Sequence, residues 1–205
     1  MAETPANTAD KTTKALTQEL LALMKKPSAE DRKLIEKACA FAREAHKDHT
    51  RFSGEPYFNH LFATAEQLAR LGMDAPAIAA GLLHDSIEDT ATTCEDIREA
   101  FGEEVLFLVE GVTKLGELRY RGADKHVESL RRLFVATSKD VRVLMIKLMD
   151  RLHNMRTLHH VPAEKRERIA KETLTIYAPL ADRLGMGVLT KELQDLAFEH
   201  IDPEG

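Results

Sequence analysis

The chain has 205 residues, 43% of them hydrophobic, which is enough for one domain with a hydrophobic core. Its net charge of −5 argues against nucleic acid as a partner, and no apolar run approaches the roughly 18 residues of a membrane span. The two cysteines, Cys39 and Cys94, form no C-x-x-C pair, and the N-terminus has no apolar signal core, so we expect a cytoplasmic protein.

Apolar residues recur every three or four positions, and no stretch shows the period of two that is typical of strands. We expect residues 1–13, rich in Ala, Thr and Asp, to be a disordered tail and residues 14–205 to form a single domain. The pattern predicts an all-α fold of about 8–11 helices. The predicted helices cover about residues 16–25, 28–47, 56–72, 74–89, 94–101, 103–115, 124–138, 140–158, 163–184 and 188–200, with a mobile loop between 115 and 122.

Polar residues follow directly on the apolar run Ile78–Leu83. On a continuous helix, His84 and Glu88 would share one face, and Asp85 and Asp89 the neighbouring face. A metal can use the first two polar side chains, and the two carboxylates one turn later can act on an attacking water. The alternative is a helix end with solvated acidic residues.

Two distant residues can complete a metal site. His60 lies among apolar residues on its predicted helix, and Asp150 interrupts an apolar helix face where a carboxylate is costly unless it is paired or bound to a metal. The alternative for Asp150 is an ion pair with Lys147 or Arg151. Two histidines and two aspartates would leave room for water, which is typical of a catalytic site, and would accept Mn, Fe, Zn, Co or Ni.

Neighbouring residues suit a phosphorylated substrate. Arg51 could bind a phosphate, and Gly54 lets the backbone bend close to a ligand. Asn154 and Thr157 lie about one and two turns after Asp150 and face the same way, which suits contact with a base or sugar edge.

Six blocks, in order, resemble the hydrolase domain of RelA/SpoT-type alarmone enzymes within the HD phosphohydrolase superfamily. They are R-x-S-G-E-P-Y-x-x-H (51–60), H-D-x-x-E-D-T (84–90), G-V-T-K-L (111–115), S-K-D-V-R (138–142), K-x-x-D-R-L-H-N-M-R-T-L (147–158) and Y-A-P-L-A-D-R-L-G (177–185). The resemblance covers about residues 28–204. It implies metal-dependent hydrolysis of (p)ppGpp at its 3′-pyrophosphate, giving GDP or GTP plus pyrophosphate, with manganese as the usual metal.

The resemblance also implies three groups of site residues. The ligands of one divalent metal ion would be His60, His84, Asp85 and Asp150. The acids that activate the water would be Glu88 and Asp89. The residues that contact the nucleotide would be Arg51, Ser53, Lys114, Asn154 and Thr157. Outside these groups we interpret His153 as structural, and His159 and His160 as surface residues.

Two positions depart from the family. Asp182 stands where relatives often have histidine, and we assign it no function. Phe52 stands where relatives often have a second basic residue, which removes a phosphate or stacking contact, although a phenyl ring could stack on a purine. Two alternatives stay open: the same metal site could act on another nucleotide, (p)ppApp or NADPH, or the chain could be a non-catalytic nucleotide-sensing module. The complete set of ligands and acids favours an enzyme. Exposed apolar positions near the C-terminal helices indicate a homo-oligomer.

Overall fold

The computed structural model describes residues 11–116 and 140–201, and within these ranges the chain is helical and contains no strand. The prediction of an all-α fold is confirmed. The helices are α1 (Thr13–Leu23), α2 (Ala29–Ala45), α3 (Phe58–Arg70), α4 (Ala75–Leu83), α5 (Ser86–Asp89), α6 (Cys94–Gly116), α7 (Val141–Arg156), α8 (Ala163–Glu172), α9 (Ala178–Arg183) and α10 (Gly187–Phe198).

The helix starts follow the capping signals of the sequence. Ser28 and Asp31 form a capping box, in which the Asp31 N–H donates to Ser28 Oγ at 3.0 Å and the Ser28 N–H donates to Asp31 Oδ2 at 2.8 Å. Asp74 caps α4 by accepting from the Ala77 N–H at 3.1 Å. These bonds satisfy amides that would otherwise lack partners, so local sequence fixes where α2 and α4 begin.

Several helix boundaries differ in detail from the prediction. The helix α3 begins at Phe58, two residues after the predicted start at Pro56. In α6, Gly102 has φ +84° and divides the helix at the predicted junction between 94–101 and 103–115. The predicted helix over 163–184 is interrupted by a π-helical turn, Thr173–Tyr177, between α8 and α9.

Three predictions concern residues outside the described ranges. They are most of the tail at 1–13, most of the mobile loop between 115 and 122, and the helix at 124–138. Among the described helices, none is both long and apolar enough to cross a membrane.

The helix α4 lies at the centre of the core, where it packs against α2, α3, α6 and α7. Gly81 allows a close approach to α3, because a Cβ at this position would lie 2.5 Å from Leu68 Cδ1 and 3.5 Å from Ala65 Cα. Since α3 also packs against α7, the C-terminal end of α4 lies beside the helices that carry His60 and Asp150. The packing therefore joins three segments that are far apart in sequence.

Candidate metal centre and substrate cavity

The four predicted metal ligands meet at the end of α4. His84 Nε2 lies 3.1 Å from Asp85 Oδ2, and His60 Nε2 lies 3.3 Å from Asp150 Oδ1. The two cross distances are 3.6 Å, from His60 Nε2 to Asp85 Oδ2, and 3.8 Å, from His84 Nε2 to Asp150 Oδ1. Each of the two imidazole nitrogens thus lies within 3.8 Å of a carboxylate oxygen of both Asp85 and Asp150.

The continuous helix predicted through His84 and Asp89 is wrong. The helix α4 ends at Leu83, His84 and Asp85 form a turn, and α5 is a single short helix. The His84 Nδ1 lies 2.8 Å from the Gly81 carbonyl oxygen, so the imidazole N–H competes for the acceptor that a continuing helix would use. As a result His84 is buried while Glu88 and Asp89 are exposed.

Both histidines present an unpaired ring nitrogen to the cluster. His84 uses Nδ1 to donate to Gly81, and His60 Nδ1 lies 2.8 Å from His153 Nδ1. In each ring Nε2 is buried and has no hydrogen-bond partner among the described residues. A buried nitrogen without a partner is costly. Two such atoms beside two carboxylates therefore fit a bound divalent cation.

Asp150 has several partners at once. Lys147 Nζ lies 2.9 Å from its Oδ2, and Asn154 Nδ2 donates to its Oδ1 at 2.5 Å. The Lys147 ion pair considered as an alternative is therefore present together with the histidine contacts. Burial raises the pKa of Asp150, but the charge of Lys147 and the nearby rings of His60 and His84 outweigh it and hold this pKa well below its usual range. The carboxylate is thus ionised and able to bind a cation.

The two predicted catalytic acids lie at the exposed edge of the cluster. Partial burial and the charge of Asp85 raise the pKa of Glu88 above its usual value. Asp89 is held by Tyr57, whose hydroxyl lies 2.9 Å from Asp89 Oδ2 and 2.8 Å from Asp85 Oδ2. Glu88 makes no such contact within the described part of the chain, so its carboxylate can reach a substrate or water.

A cavity of about 670 Å³ opens beside Asp150. Arg51 lies in its wall and donates to Asn154 Oδ1 at 2.6 Å, so Arg51, Asn154 and Asp150 form one hydrogen-bonded chain. Phe52 is 67% exposed at the same cavity. Basic residues outnumber acidic ones in the wall, which suits a polyanion. The bases are Arg51, Lys147, Arg151, Lys165 and Arg168, and the acids are Asp150 and Glu172.

Three predicted nucleotide contacts lie outside this wall. The Ser53 hydroxyl accepts from the Glu55 N–H at 3.4 Å, and the Thr157 hydroxyl donates to the His153 carbonyl oxygen at 3.0 Å. Lys114 is 69% exposed and pairs with Glu110 at 2.6 Å. Among the described residues, the structure therefore brings Arg51 and Asn154 to the cavity and not these three.

Sequence reasoning missed two residues that contact the cluster. Tyr57 lies in the R-x-S-G-E-P-Y-x-x-H block, but nothing in its spacing points to Asp85 or Asp89. His153 was interpreted as structural, yet it contacts the predicted ligand His60 directly. His159 and His160 are exposed, as expected.

A comparison with models of protein families shows to which family the chain belongs. Residues 38–187 match the family described as the HD domain. The chain belongs to the HD domain family. Membership in this family implies divalent-metal binding, and His60, His84 and Asp150 offer ligand atoms that all lie within 4.8 Å of one another.

Individual relatives add detail. This HD domain is 51% identical over 170 residues to a guanosine-3′,5′-bis(diphosphate) 3′-pyrophosphohydrolase of Aquifex aeolicus, covering 83% of this chain and 24% of that protein. It is 50% identical over 170 residues to a GTP pyrophosphokinase of Streptomyces coelicolor, covering 83% of this chain and 20% of that protein. The chain thus spans a quarter or less of these curated relatives.

A solved structure also resembles the chain. It is that of a metazoan orthologue of SpoT that hydrolyzes ppGpp, with a TM-score of 0.62 and 28% identity, and the match covers 87% of this chain and 98% of that one. The helical HD fold is therefore shared over nearly the whole length of that protein.

Proposed function

We propose that this HD domain hydrolyses (p)ppGpp at its 3′-pyrophosphate, using one water and releasing pyrophosphate with GDP or GTP. The observation that carries the proposal is the cluster of His60, His84, Asp85 and Asp150 beside a cavity in whose wall basic residues outnumber acidic ones. The printed activities of the Aquifex relative and of the metazoan orthologue support the same substrate.

In this proposal the four convergent residues hold one divalent cation. When bound, such an ion lowers the pKa of a water and polarises a phosphoryl oxygen. We propose manganese as the ion because the resemblance to alarmone hydrolases implies it; two nitrogen and two oxygen ligands would also accept Fe, Zn, Co or Ni. Adding back Mn²⁺, Zn²⁺, Co²⁺ and Ni²⁺ separately to chelated protein tests this choice, and a higher rate with another ion would contradict it.

The side chains around the cluster have separate tasks. Glu88 accepts the proton of the attacking water, because it is exposed and its raised pKa makes it a better base than an ordinary glutamate. Asp89 lies next to it and orients the same water. Lys147 and Arg151 neutralise negative charge on the cavity side of the cluster. Glu88 and Asp89 thus act on the water that attacks the phosphorus bonded to the ribose 3′-oxygen, and Lys147 and Arg151 act on the negative charge of the phosphates. The ribose 3′-oxygen is the leaving group and gains a proton to become the 3′-hydroxyl of GDP or GTP.

Nucleotide binding is assigned to the cavity wall. Arg51 and Asn154, joined by a hydrogen bond, would contact phosphate and sugar or base. Ser53, Thr157 and Lys114 stay as proposed nucleotide contacts, and their side chains are exposed or half-buried.

The decisive experiment is turnover of (p)ppGpp by the purified chain, with GDP or GTP and pyrophosphate separated by ion-exchange chromatography. We expect turnover to stop on chelation and to return with a divalent metal. Asp150→Asn should abolish it. Asp96→Asn is the matched control, since Asp96 is an exposed helix-capping carboxylate that accepts from the Thr93 N–H at 2.8 Å. Full turnover in chelator would contradict the proposal.

Phe52 is the reason to test other nucleotides. An exposed phenyl ring at the cavity can stack on any purine and does not select guanine by hydrogen bonds. The substrate panel therefore includes (p)ppApp and NADPH. Faster turnover of either would replace (p)ppGpp as the substrate, and saturable nucleotide binding without turnover of any would indicate a sensing module.

We also infer that the C-terminal helices carry a self-association surface. Val188 is 86% exposed and Phe198 is 55% exposed, both on α10. Light scattering after size exclusion would test this, with Val188→Glu expected to shift an oligomer to monomer. A monomeric wild-type chain at high concentration would contradict it.

The remaining expectations concern partners and location. We propose that nucleic acid is not a partner, on the basis of the net charge of −5. We propose a cytoplasmic location, supported by two cysteines that are free in the structure.

A further inference from the structure

Tyr57 connects the ligand cluster to the acidic edge of the site. Its hydroxyl lies within hydrogen-bond distance of one oxygen of Asp85 and one oxygen of Asp89. The same Asp85 oxygen faces both His60 Nε2 and His84 Nε2. One phenol therefore stands between a carboxylate of the cluster and a carboxylate that faces the solvent.

The position of the phenol ring is fixed from several sides. Its ring stacks on His46, with centroids 5.0 Å apart and an angle of 8° between the planes. The Arg51 guanidinium lies 5.5 Å from the ring centroid on the cavity side. The Tyr57 N–H donates to the His49 carbonyl oxygen at 2.9 Å. The ring and the backbone of Tyr57 are therefore both held in place without a ligand, and its hydroxyl is already oriented toward Asp85 and Asp89.

The stacking partner is itself uncharged near neutral pH. His46 is buried, and burial together with the charges of His49 and His84 lowers its pKa to about 4, against the opposite effect of Asp85 and Asp89. Because the His46 ring is neutral, it adds no positive charge beside Asp85 and Asp89. The Tyr57 hydroxyl is the group that this stacked pair offers to the two carboxylates. Burial and the two nearby carboxylates raise the pKa of Tyr57, so the phenol keeps its proton and remains a donor.

A phenol has one proton and can donate to one carboxylate at a time. When the Asp85 oxygen that faces the histidines is engaged in the cluster, the phenol proton is available to Asp89. A hydrogen bond to an ionised carboxylate is stronger than a hydrogen bond between two neutral groups, so it holds the carboxylate more firmly. Glu88 has no comparable restraint within the described residues. The neighbouring acids Glu88 and Asp89 therefore differ in their contacts, because only Asp89 is held by Tyr57 within the described residues.

We propose that Tyr57 is a positioning residue that holds Asp89 in the orientation needed for the reaction, which leaves Glu88 as the mobile proton acceptor. This inference rests on the proposed hydrolase function. In this account Tyr57 acts on the reaction through Asp89, and its side chain also lines the cavity.

The test is a double-mutant cycle with Tyr57→Phe, Asp89→Asn and the combination of both, measured on (p)ppGpp with saturating metal. Tyr57→Phe keeps the ring stacked on His46 and removes only the hydroxyl. We expect kcat to fall about tenfold or more while KM changes less than about twofold, because acid–base groups contribute to the chemical step. We expect the double variant to be no slower than Asp89→Asn alone, since both changes remove one function.

Two further measurements separate positioning from damage. The melting temperature of Tyr57→Phe and its affinity for Mn²⁺ alone, by calorimetry, should stay close to those of the wild type. Tyr57→Leu, which also removes the ring, should lower the melting temperature as well as kcat. A Tyr57→Phe variant with wild-type kcat, or effects of Tyr57→Phe and Asp89→Asn that multiply, would overturn the inference while the hydrolase function stands. A wild-type chain without turnover would overturn both.

Discussion

Lys147→Met tests how the buried charges of the site balance one another. Lys147 Nζ and Asp150 Oδ2 are 2.9 Å apart, and their side chains are 14% and 7% exposed. At this distance, with an effective dielectric constant of about 20, the attraction is about 6 kcal/mol before the desolvation of lysine is subtracted. Methionine fills similar space without charge, so the variant leaves Asp150 without its nearest cation.

The expected cost follows from that loss. Removing one partner of a buried ion pair typically lowers the free energy of unfolding by about 3–5 kcal/mol. Asp150 retains its bond from Asn154 and its histidine contacts, so we expect the lower end of this range, about 3 kcal/mol, in the presence of chelator. That is a large part of the stability of an ordinary domain, about 5–15 kcal/mol.

A bound divalent cation should reduce the cost. The cation would neutralise the same carboxylate, so it should stabilise Lys147→Met more than it stabilises the wild type. The assay is urea unfolding followed by far-ultraviolet circular dichroism, because the chain has no tryptophan. Each protein is measured in chelator and in excess Mn²⁺.

The matched control is Lys47→Met. Lys47 and Glu44 form a pair at 2.7 Å with the reverse three-residue order, but the two side chains are 59% and 74% exposed. Water screens such a pair, so its loss should leave the unfolding midpoint unchanged within error. The reasoning is refuted if Lys147→Met loses less than about 1 kcal/mol in chelator, the size of an exposed pair, or if its loss is the same with and without Mn²⁺.

Four further outcomes are expected. His84→Ala should abolish both Mn²⁺ binding, by calorimetry, and turnover, whereas retained binding would exclude His84 as a ligand. The raised pKa of Glu88 means that this carboxyl group stays protonated to a higher pH than an ordinary glutamate. A protonated Glu88 cannot accept a proton, so kcat should fall as the pH is lowered through this raised pKa. Glu88→Gln should lower kcat by about 10²–10⁴ and remove this acidic limb of the pH profile. Asn154→Ala should raise KM roughly fivefold, the value of about one hydrogen bond, and an unchanged KM would place the nucleotide elsewhere. Burial raises the pKa of the Cys39 thiol to about 12, so a thiol reagent at pH 8 should modify Cys94 in the native chain and both cysteines only in urea.

Local sequence was sufficient for the helices and for much of the site. The Ser28 and Asp74 caps, the break at Gly102 and the apolar periodicity all act within a few residues, so they can be read without knowledge of the fold. The convergence of His60, His84, Asp85 and Asp150 was also predicted, and the structure brings these residues together. The chemistry of the side chains limits which residues can be candidate ligands, since a buried acid on an apolar helix face, such as Asp150, needs a partner.

The errors arose where a contact crosses the fold. The helix predicted through His84 ends at Leu83, in a turn where the imidazole bonds the Gly81 carbonyl oxygen. A period of 3.6 residues continues through such a turn and does not reveal it. The contact between the rings of His153 and His60 likewise depends on the packing of α3 against α7, which the sequence does not record.

By itself, the sequence determined an all-helical HD domain, the identities of the candidate ligands and acids, and the capped ends of the helices, because these depend on residue chemistry and on spacing along one helix. Only the tertiary structure decided that Tyr57 joins Asp85 to Asp89, and that Arg51, 103 residues away in sequence, bonds Asn154 at the cavity. Such contacts depend on the packing of α4 against α3 and of α3 against α7. The distance between two side chains on different helices is set by how closely those helices pack, and no periodicity within either helix records it.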